Sequence, residues 1–371
     1  METALKNLGR GCRQVLDVLC RGGPASRAEI AAATGYTRPA ITQMVRELTD
    51  VGILSEGEAR RGQRGQPARP VAFRRDAGYS VGVNFSATYL DVAIVDLSGG
   101  LIAEARASLA EPTPGAVAAL AETMIESFRE KYSIPLASFL GVGISIPGDF
   151  DVDGSILPHR VFPGFAGRGV FEEFQSLISL PVFLENDGRV CAIGERVMGA
   201  GRAYRTFMLV HLGHGIGGGI IINGTPYRGA IGNAGILGQY YPYDAPRPSG
   251  LDLLETLQRA GYPLGDFDAL EHFDLDQKIV NDWAKRAAEQ LGGVIARIGR
   301  FFGPDAIIIA GRLPPKVIDR LVANIDLPAA LRHLDQLPTP ALIASPLGAS
   351  AGLLGAAAVP IFKALLPQLD N

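Results

Sequence analysis

Side chains suited to recognition concentrate near the N-terminus. Arg38, Pro39, Thr42, Gln43 and Arg46 alternate with the apolar positions Ile41, Met44, Val45 and Leu48. On a helix this spacing separates two faces, an apolar stripe turned inward and a polar set turned outward. In a major groove a glutamine amide pairs with adenine, and an arginine with guanine or phosphate. Arg60, Arg61 and Arg64 follow in Arg60-Arg61-Gly62-Gln63-Arg64-Gly65-Gln66-Pro67. Guanidinium groups on a glycine-rich loop suit phosphate or minor-groove contact. Each arginine alone reads as a solvated surface charge; the group at this spacing points to double-stranded DNA. The three cysteines (Cys12, Cys20, Cys191) and five histidines (His159, His211, His214, His272, His333) lack the spacing of a disulfide framework or a zinc site. No metal is therefore expected, and the compartment expected is reducing and cytosolic.

The elements that would position these groups are legible. A first helix is predicted over residues 10–20, with Val15, Leu16, Val18 and Leu19 inward, and Gly22-Gly23-Pro24 ends it. Ser26-Arg27-Ala28-Glu29 is a capping box, in which hydroxyl and carboxylate satisfy each other's orphan amides. The short helix it opens stops at Thr34-Gly35. Thr37 then caps a third helix that carries Pro39 in its first turn. A strand beginning at Gly52-Ile53-Leu54 and the basic loop complete a winged helix-turn-helix in residues 1–75. This segment holds 13 basic and 7 acidic residues, against 22 and 31 in the remainder, so the net charge of −3 conceals a basic module on an acidic body. A basic tail without a role is the bland alternative.

The body carries ample apolar residues (47% of the chain) and 46 glycines without a collagen-like period. At about 150 residues per domain, 371 residues suggest two or three domains. Strand-like runs at 80–85, 90–95 and 101–108 precede an amphipathic helix at 115–131 and strands at 140–146 and 182–185. Strands at 208–212 and 219–222, a hairpin at Asn223-Gly224, helices from Leu251 and Gln277 and a strand at 306–309 repeat the plan. Two such passes imply a two-lobed α/β fold of the actin and sugar-kinase type with a cleft between the lobes. The expected lobes are 76–190, with a final helix in 349–371, and 191–348. The first fifteen residues contain no apolar core, so no secretory signal is expected. The longest apolar stretch, 351–362, is interrupted by Pro360 and is shorter than the ~20 residues of a bilayer span, so no membrane is expected as a partner.

The motifs also fall in a recognisable order. The chain carries Gly65-Gln66-Pro67, Gly141-Val142-Gly143-Ile144-Ser145-Ile146-Pro147-Gly148, Glu185-Asn186-Asp187 with Gly194-Glu195, Gly213-His214-Gly215-Ile216-Gly217-Gly218-Gly219, Tyr227-Arg228-Gly229 and Ala351-Gly352-Leu353-Leu354-Gly355-Ala356-Ala357. This series resembles the ROK family (repressors, open reading frames and sugar kinases). Within it the chain is most similar to the helix-turn-helix regulators, which include the xylose, glucose and N-acetylglucosamine repressors. Kinases of the family place Asp-x-Gly-Gly-Thr after the first strand, where amides cradle ATP and the carboxylate helps hold magnesium. Here the matching segment is Asn84-Phe85-Ser86-Ala87-Thr88; the family's second-loop threonine is His214, and a Gly-Gly pair is Ala310-Gly311 followed by Arg312. The resemblance therefore implies a kinase-inactive variant with no nucleotide cofactor.

Asp187 matches the family's catalytic base and, without phosphates to attack, would accept a hydrogen bond from a sugar hydroxyl. Asn186 and Asp187 also suit a helix cap. The sugar segments are altered to Val161-Phe162-Pro163-Gly164-Phe165 and Gly235-Ile236-Leu237-Gly238-Gln239, and Pro246 to Leu254 replaces the family's cysteine-rich zinc loop. Asn186, Asp187, Gln239, His159 and Arg160 remain as candidate ligand-binding groups, and weak or absent binding of glucose-like sugars is expected. The reading that follows is a homodimeric or tetrameric repressor of carbohydrate-related genes, bound to operator DNA and controlled by a small effector. The alternatives are an ATP-dependent sugar kinase carrying a DNA module and a ligand-blind DNA-binding scaffold.

Overall fold

The computed structural model describes residues 5, 8–58, 69–159, 161–327 and 339–368. Its first helix, α1 (Arg10–Gly22), buries Cys12, Val15, Leu16, Leu19 and Cys20 and runs two residues beyond the predicted end. The capping box of α2 (Arg27–Thr34) is present: Glu29 N donates to Ser26 Oγ at 3.3 Å and Ser26 N to Glu29 Oε2 at 2.7 Å. Gly35 leaves that helix at φ 78°, a conformation that favours glycine. Thr37 Oγ1 then accepts from Ala40 N to open α3 (Arg38–Asp50), whose buried stripe is Ile41, Val45 and Leu48. A short antiparallel pair follows, β1 (Leu54–Glu56) with β2 (Val71–Phe73). Arg27 Nη2 lies 2.5 Å from Glu56 Oε1 and ties α2 to β1.

By its internal contacts the chain divides into two units. One comprises Met1–Gly148, Asp153–Glu185 and Leu353–Asn371, and the other Asp149–Val152 and Asn186–Gly352. The first holds β3 (Tyr79–Phe85), β4 (Tyr89–Asp96), β5 (Leu101–Ser108), α4 (Pro114–Lys131), β6 (Phe139–Ile146), α5 (Val170–Leu177) and, up to its last residue, β7 (Val182–Asn186). Its sheet order is β5-β4-β3-β6-β7, with an antiparallel meander from β3 to β5 and β6 parallel to β3. The second unit contains α6 (Asp187–Val197), β8 (Phe207–Leu212), β9 (Ile216–Ile222), β10 (Thr225–Tyr227), α7 (Gly250–Arg259), α8 (Lys278–Phe302), β11 (Ala306–Gly311), α9 (Pro315–Asn324) and β12 (Ala341–Ala344). Its order, β10-β9-β8-β11-β12, repeats the first, and β11 runs parallel to both β8 and β12. The predicted hairpin turns at Asn223 (φ 52°) and Gly224 (φ 82°).

The strands of the second unit alternate between two cores. Met208, Val210, Leu212, Ile307 and Ile309 join Leu253, Leu257, Trp283 and Leu291 on one side. Phe207, Leu209, Ile221 and Ile308 join Cys191 and Ala192 of α6 on the other. Burial on both faces explains the nearly continuous apolar runs of β8 and β11. In the first unit the last helix (Ala351–Leu365) lies directly on β3 and β6. A Cβ at Gly82 would overlap the Leu353 carbonyl and one at Gly143 the Ala356 carbonyl, while Ser80 Oγ donates to Ala357 O at 2.7 Å. With its preceding turn this element spans Gly348–Leu365, which does meet the length and hydropathy of a membrane span, contrary to the length argument from sequence. Its apolar character has a packing cause: 61% of the stretch is buried inside the protein.

Candidate functional site

In the second unit, α6 begins where β7 ends, and two side chains there organise its first turn. Asn186 Oδ1 accepts from Gly188 N at 3.0 Å and Arg189 N at 3.4 Å, and Asp187 Oδ1 accepts from Gly188 N at 2.7 Å. The capping role is thus real. The other carboxylate oxygen, Asp187 Oδ2, lies 3.6 Å from His211 Nε2 on β8. His211 Nδ1 in turn lies 3.3 Å from Cys191 Sγ, one turn along α6.

Burial decides what this row can do. Cys191 and His211 are enclosed, whereas Asp187 keeps 35% of its side chain exposed. Desolvation pushes the Cys191 thiol well above its usual value, and the charges of Asp187 and Glu195 push it further. Desolvation also lowers the His211 pKa, against the pull of Asp187. The stable arrangement is a neutral thiol donating to Nδ1 and a neutral imidazole presenting Nε2–H toward Asp187. A protonated buried thiol is not a nucleophile. The row therefore orients an accessible carboxylate.

Two further charges border it. Asp149 is raised above its usual pKa by burial and then by Asp187, and Arg189 opposes the shift. Arg189 is 2% exposed and donates Nη2 to the Gly232 carbonyl. Next in sequence, Asn233 Oδ1 accepts from Phe150 N at 2.9 Å and its amide donates to Phe150 O, which holds the segment carrying Asp149. The glycines of β9 allow α6 to approach: a Cβ at Gly188 would stand 2.6 Å from Gly218 N, and one at Gly219 2.6 Å from Ala192 Cβ.

Of the other candidates, Gln239 lies exposed on a 3-10 turn (Gly238–Tyr240) of the same unit. His159 belongs to the first unit, half-buried, where its Nδ1 accepts from Val161 N at 3.2 Å. Arg160 lies outside the described residues. Asp149, Arg189, Cys191 and His211 were not singled out as ligand groups from sequence, because no linear motif joins positions this far apart. The one available signal was a basic residue two places after Asp187 at a helix start.

The segments that match the family's phosphate loops are occupied by protein groups. Between β3 and β4, buried Ser86 Oγ accepts from Thr88 N at 3.0 Å and Tyr89 N at 3.2 Å, so both amides are consumed in a turn. Phe85 beside it stacks on Phe165 at 4.8 Å and meets Phe162 edge-on at 5.5 Å. In the second unit the His214 ring lies 4.7 Å from Phe267. Arg312 reaches over Phe267 and pairs with Asp268 at 2.6 Å. Among the described residues no three His, Cys, Asp or Glu side chains converge as metal ligands.

At the N-terminus, Arg38, Pro39, Thr42, Gln43 and Arg46 are all exposed on one face of α3, opposite Ile41, Val45 and Leu48. Thr42 Oγ1 donates to Arg38 O at 2.9 Å, and Arg46 stands 3.8 Å from Asp50. Arg60, Arg61 and Arg64 fall in residues 59–68, outside the described residues.

Comparison with known proteins covers both regions. Residues 80–361 match the ROK family. The chain is 35% identical to the uncharacterized protein y4fQ of Sinorhizobium fredii, across 97% of this chain and 93% of that one. It is 26% identical to the xylose repressor of Bacillus subtilis, across 97% and 96%. The crystal structure of a ROK family transcriptional regulator, a homologue of the E. coli MLC protein, superposes with a TM-score of 0.69 at 22% identity, across 98% of this chain and 97% of that one.

Proposed function

Since the chain belongs to the ROK family, we propose that it is a DNA-binding transcriptional regulator, a repressor of carbohydrate-related genes under the control of a small effector. The observation that carries this reading is the exposed Arg38, Pro39, Thr42, Gln43 and Arg46 face of a capped helix. That helix sits in a three-helix module followed by an antiparallel strand pair, and similarity to the xylose repressor runs through both module and body. In this reading α3 is the recognition helix of a winged helix-turn-helix, and Arg60, Arg61 and Arg64 form the wing tip. A homodimer or tetramer supplies paired half-sites, because one helix reads few base pairs. Its place of work is the cytosol.

The effector is assigned to the start of α6. Asp187 accepts from ligand hydroxyls, with Asn186 beside it and Gln239 of the same unit as a further polar contact. His211 is the positioning residue that holds Asp187. The chain is not a sugar kinase in this reading. Support comes from the Thr88 and Tyr89 amides spent on Ser86, and from Arg312 and His214 engaged with Asp268 and Phe267.

The test is binding of the purified chain to fragments of its own genome, followed by anisotropy titrations on a selected fragment and on random duplex. Arg38→Ala and Gln43→Ala are expected to lower the preference for the selected fragment by about tenfold or more, equivalent to 1–3 kcal/mol per bidentate base contact. Arg64→Ala is expected to weaken both duplexes alike and to flatten the salt dependence. Equal losses on both duplexes for all three variants would remove the basis for the assignment.

A further inference from the structure

A cavity of about 710 Å³ opens in the first unit, where α1 meets the end of the last helix. This volume lies within the 300–1,000 Å³ usual for small-molecule sites. Its walls are apolar: Leu136, Leu140, Leu180, Phe183 and Pro360 are the principal surfaces. Among the described residues that line it, Arg13 and Lys363 are the cations and none is a carboxylate. Ser179 on its wall donates its amide to Glu122 Oε2 at 3.2 Å.

Arg13 is built into this site. Its Nη1 donates to Ala364 O at 2.7 Å and Leu366 O at 3.5 Å, its Nε to Leu8 O at 3.3 Å and its Nη2 to Leu5 O at 3.3 Å. Those partners are uncharged carbonyls, so the guanidinium is held in place without a counter-ion among them. Partial burial accordingly lowers its pKa. Lys363 lies over the Phe183 ring at 4.7 Å. A guanidinium and an ammonium on the lining of an apolar pocket match a carboxylate joined to an apolar body.

We propose that this cavity binds a small amphipathic monocarboxylate taken from solution, its carboxylate between Arg13 and Lys363 and its apolar part against Leu136, Leu140, Leu180 and Phe183. The binding claim is independent of the DNA-binding reading. Its location gives it reach, because Arg13 belongs to the first helix of the N-terminal module and two of its acceptors, Ala364 O and Leu366 O, to the end of the body's last helix.

Calorimetric titration of the full chain with octanoate, and separately with uncharged octan-1-ol, tests the proposal. Saturable binding of one octanoate per chain is expected, at least tenfold tighter than octan-1-ol. Lys363→Met should weaken it at least tenfold, and Ala137→Trp, which fills the cavity from an exposed position, should abolish it. Both variants are to be checked for an unchanged melting temperature without ligand. Absence of saturable octanoate binding below about 1 mM, equal affinity for the alcohol, or octanoate affinity unchanged in both folded variants would each overturn the proposal.

Discussion

Asp187 does two jobs with its two carboxylate oxygens. One satisfies an amide at the start of α6 and the other faces His211. The His211 ring can hold its tautomer only while it remains neutral, and this has a pH consequence. Its folded pKa lies below the ordinary 6.5, so just below that pH the unfolded chain binds a proton that the folded chain refuses. The stability contributed by the neutral ring is therefore complete above about pH 6.5 and is lost as the pH falls toward the depressed value. Melting temperatures between about pH 5 and 8 should fall more steeply on acidification in the unmodified chain than in His211→Gln. Parallel curves would mean that His211 is not the buried neutral group described.

Helices here are set by their ends and by how closely they can approach a sheet. Ser26 and Glu29 close α2 reciprocally, and Ser26→Ala should cost about 1 kcal/mol, read as a lower denaturation midpoint with unchanged slope. A much larger effect is expected at Gly143. Any side chain there meets the Ala356 carbonyl of the last helix, so Gly143→Ala should destabilise by ~3 kcal/mol or more, at the upper end of overpacking costs. A melting temperature equal to that of the unmodified chain would show that this helix does not depend on the gap. The same logic recasts the glycines of β9. In the sequence they stand as one motif of the family resemblance, yet Gly218 and Gly219 also admit Gly188 and Ala192 of α6.

The chain joins a basic N-terminal segment to an acidic body with the ROK fold. Its predicted behaviour toward sugars follows from which polar groups remain. A hexose whose hydroxyls lack partners loses about 1–3 kcal/mol for each buried unsatisfied group. Titration with a panel of monosaccharides should therefore show no micromolar binding of glucose or N-acetylglucosamine. A coupled assay with ATP and the same sugars should release no ADP. Turnover with any of them would return the chain to the kinase branch of its family.

Local rules wrote much of this structure in advance. Ser26 and Glu29, Thr37 with Pro39, and Asn223-Gly224 act through neighbours a few residues away, so their caps and turns were readable, as was the outward face of α3. The repeated order of strands and helices was readable too, because period and turn chemistry are local. Folding alone decided the rest. Cys191, His211 and Asp187 come from a helix and a separate strand and meet only when α6 settles on its sheet. Arg13 finds two of its four acceptors more than three hundred residues away, at Ala364 and Leu366. The short elements α5, α9 and β12 carry too few residues for a periodic signal, and packing against long neighbours makes them stable. The reason is one of range: hydrogen bonds of caps and turns are encoded in adjacent residues, whereas burial, which decides what each titratable group can do, is a property of the assembled chain.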